Sequence, residues 1–226
     1  MDNLKKGVPA REAADRDNPF CQWIGAAIRL TDLAGQRPAC RSWQQKWPGA
    51  APATGHRRNG ITERCSWRRH GAAFAVSDPL GAVRAGMAEI HGNACFTGTS
   101  PGRWSDDGAV RGHGDARRLV DERFAGMHAV HTSNNLCLIV FGLKLAEGDL
   151  MRGLSQTVAM GLDSDCTAAS AGSILGAVLG KSAIAPELYE CFHDRMDTYL
   201  KNTEAFSIRD MAKRYSALAH KVHSRL

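Results

Sequence analysis

The run of small side chains at residues 161–180, GLDSDCTAASAGSILGAVLG, is the feature that most restricts how this chain folds. Ala168, Gly172, Gly176 and Gly180 recur at four-residue intervals and therefore share one face of a helix. Neighbouring backbones can approach closely along such a face, as they do in membrane helix dimers. Because this segment is too short and too polar to span a bilayer, we expect it to lie in the middle of a soluble bundle.

Two acidic residues stand directly before this predicted helix. Asp163 and Asp165 lie between the break at Gly161 and the expected helix start near Cys166. One interpretation is an N-cap, in which Asp165 accepts from first-turn amides and offsets the helix dipole, a role that needs only one acid. A second is a cation site, because carboxylates at i and i+2 in a turn suit Mg²⁺ or Mn²⁺, which prefer oxygen ligands. Spacing alone leaves both interpretations open.

The second half of the chain reads as a series of helices, which makes the predicted fold class all-α. The predicted helices span residues 117–127, 134–148, 150–161, 166–180, 187–202 and 208–226. Asp149 and Ser207 are suited to cap two of them, while Gly148, Gly161 and Gly180 are suited to end others. No segment in this half alternates like a strand. The short loops imply a bundle of packed neighbouring helices.

The first half has a different character. Segments 21–35 and 78–92 look helical, but windows 37–55 and 92–115 carry no hydrophobic face and are rich in Arg, Gly, Pro, Cys and Trp. Such windows are either long functional loops or out-of-frame readings of a GC-rich gene. Because structureless loops this long are unusual inside a compact domain, the second interpretation is favoured. We therefore expect one domain over residues 1–226, helical from 117 to 226 and degraded or irregular from 1 to 116.

Positive charge is concentrated in one stretch. The chain carries a net charge of +6, whereas residues 37–70 hold eight Lys and Arg and one acid, a net of +7, so the remainder sums to −1. With Trp43, Trp47 and Trp67 interleaved, this stretch could contact phosphates and stack on bases. It has no helical or strand period, so nucleic-acid binding is the disfavoured alternative to a solvated irregular segment.

Cysteine spacing and apolar runs indicate the compartment. Seven scattered cysteines form no CxxC pair, which favours neither a disulfide framework nor a zinc knuckle. The longest apolar run, Leu136–Phe141, is far shorter than the roughly 20 residues that span a bilayer. Residues 1–17 are polar and contain no leader-like apolar stretch. We expect a cytoplasmic protein with no membrane partner.

At residues 161–180, preceded by HTSNNLCLIVFGLKLAEGDLMRGLSQTVAM at 131–160, the chain resembles the ADP-ribosylglycohydrolases. This is the family of the dinitrogenase-reductase-activating glycohydrolase, and its signature is Gly-x-Asp-x-Asp-Thr followed by small-residue helix turns. The resemblance extends over about residues 115–225. Shorter segments upstream resemble the middle region of the family more weakly and follow one another in the family's order. It implies an orthogonal all-α multi-helix bundle and a dinuclear magnesium enzyme that acts on ADP-ribose or ADP-ribosylated substrates.

Carried over residue by residue, the resemblance implies that Asp163 and Asp165 are metal ligands. It places Cys166 where the family has a Thr or Ser ligand, and a thiol is a poor partner for Mg²⁺. His131 lies in the segment that the family uses near the substrate cleft, although a lone His is more often structural. Relatives bind two Mg²⁺ (or Mn²⁺) ions, and here we expect at most one.

The main departure from the family lies upstream. Its Gly-Asp-Ala-Leu-Gly-like helix and its Ser/Thr-Asp-Asp-Thr motif do not occur, and the Asp106–Asp107 pair lacks the final Thr and reads as a polar turn. The resemblance therefore predicts an N-terminally truncated protein. Intact relatives hydrolyse an ADP-ribosyl glycosidic bond, and we expect this chain to do so weakly at best. The alternative is a catalytically inactive ADP-ribose- or nucleotide-binding or structural remnant.

Overall fold

The computed structural model describes residues 5–8, 78–81 and 110–223. Several predictions lie outside these residues: the helix at 21–35, most of the helix at 78–92, the window at 37–55, the basic stretch at 37–70, most of the window at 92–115 and the Asp106–Asp107 turn. The described residues belong to two compact units, Met1–Val178 and Leu179–Leu226, and each is described by itself. The single domain over residues 1–226 stays a prediction.

The first unit contains four described helices. They are α1 (His113–Arg123), α2 (Thr132–Ala146), α3 (Leu150–Ala159) and α4 (Ser164–Leu179). The predicted boundaries hold to within a few residues. Asp149 caps α3 as predicted, because its Oδ1 accepts from the Arg152 amide at 2.6 Å. Gly161 and Gly180 follow helix ends with φ of +74° and +75°, a conformation that glycine adopts without strain.

Helix α2 is the most completely buried of the described helices. Every residue of α2 except Lys144 is buried, and the largest of its fully enclosed side chains are Phe141, Leu138 and Ile139. Each such side chain contributes roughly 1.5–3 kcal/mol of burial free energy. A helix that is apolar around most of its circumference has to be covered on all sides, which accounts for this burial.

Helix α3 crosses α2 and α4 at glycines. A Cβ placed on Gly142 of α2 would lie 1.9 Å from Thr157 Oγ1 of α3. A Cβ on Gly153 of α3 would lie 2.5 Å from Leu175 Cδ1 and 2.8 Å from Ala146 Cβ. These distances leave no room for a methyl group, so the glycines set how closely the three helices approach.

The small-residue face of α4 has a different role from the one expected. Ala168, Gly172, Gly176 and Gly180 are half-buried, and the fully buried side of α4 lies next to them. A Cβ on Gly172 would lie 3.0 Å from Leu154 Cδ2, so a neighbouring side chain fills the space there. The expectation that α4 is the central helix is wrong for the described residues. Helix α2 is more completely buried than α4 because it carries far more apolar surface.

The second unit corrects the helix predicted at 187–202. Residues 181–192 form three single-turn 3₁₀ segments, Lys181–Ala183, Pro186–Leu188 and Glu190–Phe192. Strands β1 (Arg195–Asp197) and β2 (Ala205–Ser207) then pair antiparallel, with Met196 opposite Phe206. Helix α5 (Ile208–His223) follows β2.

A left-handed turn interrupts the helix predicted at residues 187–202. His193 and Asp194 have φ of +48° and +58°, which an α-helix does not allow. The Asp194 carboxylate accepts from Ser207 Oγ at 2.7 Å and from the Arg209 amide at 2.8 Å, and these bonds lower the pKa of Asp194. Ser207 in turn caps α5, as predicted, by accepting from the Asp210 amide at 3.0 Å. The two Asp194 bonds join residues 13 and 15 positions apart, so helical periodicity does not reveal them.

The fold class is confirmed as all-α. The described residues are mostly helical, and their only sheet has two strands of three residues each. No helix within the described ranges is long and apolar enough to cross a membrane.

Replacing Gly142 with Ala tests the close crossing of α2 and α3. We expect Gly142→Ala to lower the free energy of unfolding by about 1–3 kcal/mol, because the added methyl group overlaps Thr157. Gly114→Ala is the matched control, since a Cβ on this α1 glycine would meet nothing within 4 Å. The control should be neutral or stabilising by up to about 1 kcal/mol in urea unfolding. Equal stability of the two variants would contradict the crossing.

Candidate metal centre

The loop between α3 and α4 leads into the predicted ligands and contains a strained turn. After α3 ends at Ala159, Gly161 and Leu162 both take left-handed φ values, +74° and +62°. Glycine adopts this conformation freely, but a leucine does so at a cost of order 1–3 kcal/mol. Such a residue persists only where its surroundings hold it, and the turn delivers the chain directly to Asp163.

Arg117 of α1 holds the first part of this loop. Its Nη1 donates to the Met160 carbonyl at 2.7 Å, while its Nε donates to the Asp121 carboxylate at 2.8 Å. The ion pair orients the guanidinium toward the loop. Gly161 has a left-handed φ, which favours glycine, and a Cβ there would also lie 2.9 Å from Nη1, so the Arg117 side chain would have to shift.

Asn135 of α2 holds the second part of the loop between α3 and α4, next to Asp163. Its Oδ1 accepts from the Asp163 amide at 3.3 Å, and its Nδ2 donates to the carbonyls of Ala129 and His131, each at 2.8 Å. Asn135 is only 2% exposed, so its polar atoms must be satisfied inside the protein. One buried side chain therefore joins the turn before α2 to the loop before α4.

The three predicted ligands come together at the start of α4. A carboxylate oxygen of Asp163, one of Asp165 and Sγ of Cys166 all lie within 4.8 Å of one another. The Cys166 Sγ lies 3.9 Å from Asp165 Oδ2. Asp165 is exposed, and the other two are half-buried. The cluster sits at the edge of the protein, where an ion can enter from solvent.

The helix start revises the capping interpretation of Asp165. Because α4 begins at Ser164 and the Asp163 carbonyl accepts from the Thr167 amide at 2.9 Å, the N-cap position belongs to Asp163. Asp165 lies in the first turn, where its charge complements the helix dipole. That effect is typically 0.3–1 kcal/mol, and a single acid supplies it. A second carboxylate within 4.8 Å adds repulsion that a bound cation would relieve.

The residues present fit a divalent cation. Ligand atoms bound at about 2.1 Å to one ion lie at most about 4.2 Å apart, so small rotations of the three side chains bring them into range. The donors are two hard carboxylates and one soft sulfur. Asp163 and Asp165 suit Mg²⁺ or Mn²⁺, and Cys166 does not.

His131 lies outside this cluster and caps α2. Its Nδ1 accepts from the Ser133 amide at 3.1 Å, which puts the proton of the neutral ring on Nε2. Burial of the ring, followed by the nearby charge of His128, lowers the pKa of His131. Asn135 connects the His131 carbonyl to the Asp163 amide. The contact of His131 with substrate stays a prediction.

Sequence reasoning missed Arg117 and Asn135. Arg117 reads as one polar position of an amphipathic helix, and its partner at Met160 lies 43 residues away. The position of Asn135 could have been predicted to matter, because it lies at the start of an apolar segment, where a buried polar side chain needs hydrogen-bond partners.

The helical fold and the carboxylate cluster define the class of protein, an all-α protein with a candidate divalent-cation site. The family model described as ADP-ribosylglycohydrolase matches residues 73–224, which is more than half of the chain. The chain therefore belongs to the ADP-ribosylglycohydrolase family. Comparisons with curated proteins and with solved structures gave no match.

Truncating Asn135 tests its role in holding the loop. We expect Asn135→Ala to lower the free energy of unfolding by about 1–3 kcal/mol, because two carbonyls lose their buried donor. The Asp163 amide should also exchange faster with solvent deuterium. Asn134→Ala is the control, since the side chain of Asn134 bonds within the same turn, to the His128 carbonyl and the Asn135 amide. Equal acceleration of Asp163 exchange in both variants would contradict the assignment.

The pKa of His131 predicts how stability depends on pH. Because the folded pKa lies below the ordinary 6.5, the unfolded chain binds the proton more readily. Stability is therefore expected to fall as the pH drops below about 6.5 toward the folded pKa. His131→Asn keeps a capping side chain and removes this titration. The difference in unfolding free energy between the two proteins should change from about pH 8 to about pH 5, and parallel curves would refute the prediction.

Proposed function

We propose that this chain binds a divalent cation, Mg²⁺ or Mn²⁺, through Asp163 and Asp165, and that the site binds ADP-ribose or an ADP-ribosylated substrate. The observation that carries the proposal is the convergence of these carboxylates within 4.8 Å, in a chain of the ADP-ribosylglycohydrolase family. The proposed reaction class is metal-dependent hydrolysis of an ADP-ribosyl glycosidic bond.

The protein's own groups have distinct roles in this proposal. Asp163 and Asp165 supply the negative charge that offsets the positive end of α4 and makes the position favourable for a cation. Arg117 and Asn135 hold the loop in place, which reduces the ordering needed when a ligand binds. A cation bound there would orient substrate hydroxyls and lower the pKa of a water molecule.

His131 is the proposed substrate contact. Its lowered pKa keeps the ring neutral near pH 7, and its Nδ1 is engaged by the Ser133 amide. In this state Nε2 carries the proton of the ring, and the ring is uncharged. Such a group suits a sugar hydroxyl or carbonyl oxygen of the substrate better than a phosphate.

The expected catalytic rate is low. The Ser/Thr-Asp-Asp-Thr motif that supplies the other ligands in relatives does not occur among the 226 residues. A site with half of the ligands holds one cation at best, so the hydrolysis rate should be far below that of an intact relative. Titration calorimetry with ADP-ribose, with and without Mg²⁺, and a hydrolysis assay separate a weak enzyme from an inactive binding protein. Binding without turnover would favour the inactive protein.

Substitution of Asp163 tests the cation site. We expect Asp163→Asn to weaken Mg²⁺ or Mn²⁺ binding by more than about tenfold, since even outer-sphere changes at metal sites cost 10–100-fold. Ser164→Ala is the matched control, because the neighbouring hydroxyl is not a proposed ligand. Calorimetry and the cation-dependent shift in melting temperature provide the measurements.

A different pair of results would show that Asp163 and Asp165 bind no cation. If Asp165→Ala changes stability by only about 0.3–1 kcal/mol, and no divalent cation shifts the melting temperature of either form, the two acids serve only to begin helix α4.

A further inference from the structure

We propose that Cys166 makes this cation site selective for thiophilic divalent cations, of which Zn²⁺ is the representative, with the cysteine thiolate as third ligand beside Asp163 and Asp165. The inference rests on the proposed cation site and specifies which ion that site prefers. It departs from the expectation of Mg²⁺, because it follows from the donor atoms that this chain places together.

The distances within the cluster suit a small tetrahedral ion. Zinc binds cysteine sulfur at about 2.3 Å and carboxylate oxygen at about 2.0–2.2 Å, which places sulfur and oxygen about 3.6 Å apart in a tetrahedron. The Cys166 Sγ to Asp165 Oδ2 distance is 3.9 Å, so this pair is already close to that separation. Asp163 completes a three-ligand set within 4.8 Å, and water would take the fourth position.

The chemistry of the donors favours zinc over magnesium. Mg²⁺ requires near-ideal octahedral oxygen ligation and gives up its waters reluctantly, so a sulfur in the ligand set adds nothing to its binding. Zn²⁺ accepts mixed sulfur and oxygen ligands, and the thiolate forms as the thiol proton passes to solvent. The same three side chains therefore bind one ion strongly and the other through the carboxylates only.

The backbone holds the ligand set in position. Asp165 and Cys166 lie in the first turn of a 16-residue helix, and Asp163 is at its N-cap position. The preceding loop is held by Arg117 through the Met160 carbonyl and by Asn135 through the Asp163 amide. A preorganised set of this kind discriminates between ions by ligand type and geometry.

The test measures binding of the metals alone to the full chain. Zn²⁺ and Mg²⁺ affinities are determined by calorimetry, and Co²⁺ serves as a spectroscopic probe because a cobalt–thiolate bond gives a near-ultraviolet charge-transfer band. The variants are Cys166→Thr, the conservative Cys166→Ser and Asp163→Asn. Cys191→Ser is the control for adventitious binding, since Cys191 is an exposed cysteine of the other unit.

We expect both Cys166 variants to lose the cobalt–thiolate band and at least about tenfold in Zn²⁺ affinity, while Mg²⁺ affinity stays equal or rises. The Cys191 control should keep the band. If the band and the Zn²⁺ affinity survive in Cys166→Thr and Cys166→Ser while Asp163→Asn weakens both ions, the selectivity proposal is wrong and the cation site stands. If Asp163→Asn changes the binding of neither ion, the cation site is wrong as well.

Discussion

The burial of α2 along almost its whole length is the constraint on which the rest of the first unit depends. An apolar helix enclosed in this way draws the polar residues at its own start into the interior, where each must find a hydrogen-bond partner. Asn135 finds three, at the Ala129 and His131 carbonyls and the Asp163 amide. The need to satisfy one buried amide side chain thus sets the position of the candidate metal loop.

The candidate metal loop illustrates how a folded core supports a strained segment. Leu162 holds a left-handed conformation that its side chain disfavours, and the hydrogen bonds on either side come from elements already fixed by packing. Arg117 is oriented by Asp121 on the same helix, so the contact to Met160 requires little further ordering. Of the candidate ligands that follow, Asp165 and Cys166 lie in the first turn of α4, which restricts their motion.

The second unit is organised by side-chain hydrogen bonds more than by burial. Asp194 joins the turn before β1 to the start of α5 through Ser207 and Arg209. The same Ser207 oxygen donates to Asp194 and accepts from Asp210, so a single hydroxyl links the hairpin to the helix. A carboxylate used in this way depends on staying ionised, and its lowered pKa reflects those bonds.

The sequence by itself determined the all-α class, the family, the helices α1 to α5 and the caps at Asp149 and Ser207. It also singled out Asp163, Asp165 and Cys166 as candidate ligands, and these three side chains lie together in the structure. The helices, the caps and the spacing of the candidate ligands depend on residues within about one helical turn of each other, and short-range spacing records them. Only the tertiary structure decided three further features: α2 is the most completely buried of the described helices, residues 187–202 are not one helix, and Arg117 and Asn135 hold the candidate metal loop. Those contacts join residues 13 to 43 positions apart, and their energies depend on which groups folding brings together, which local periodicity does not encode.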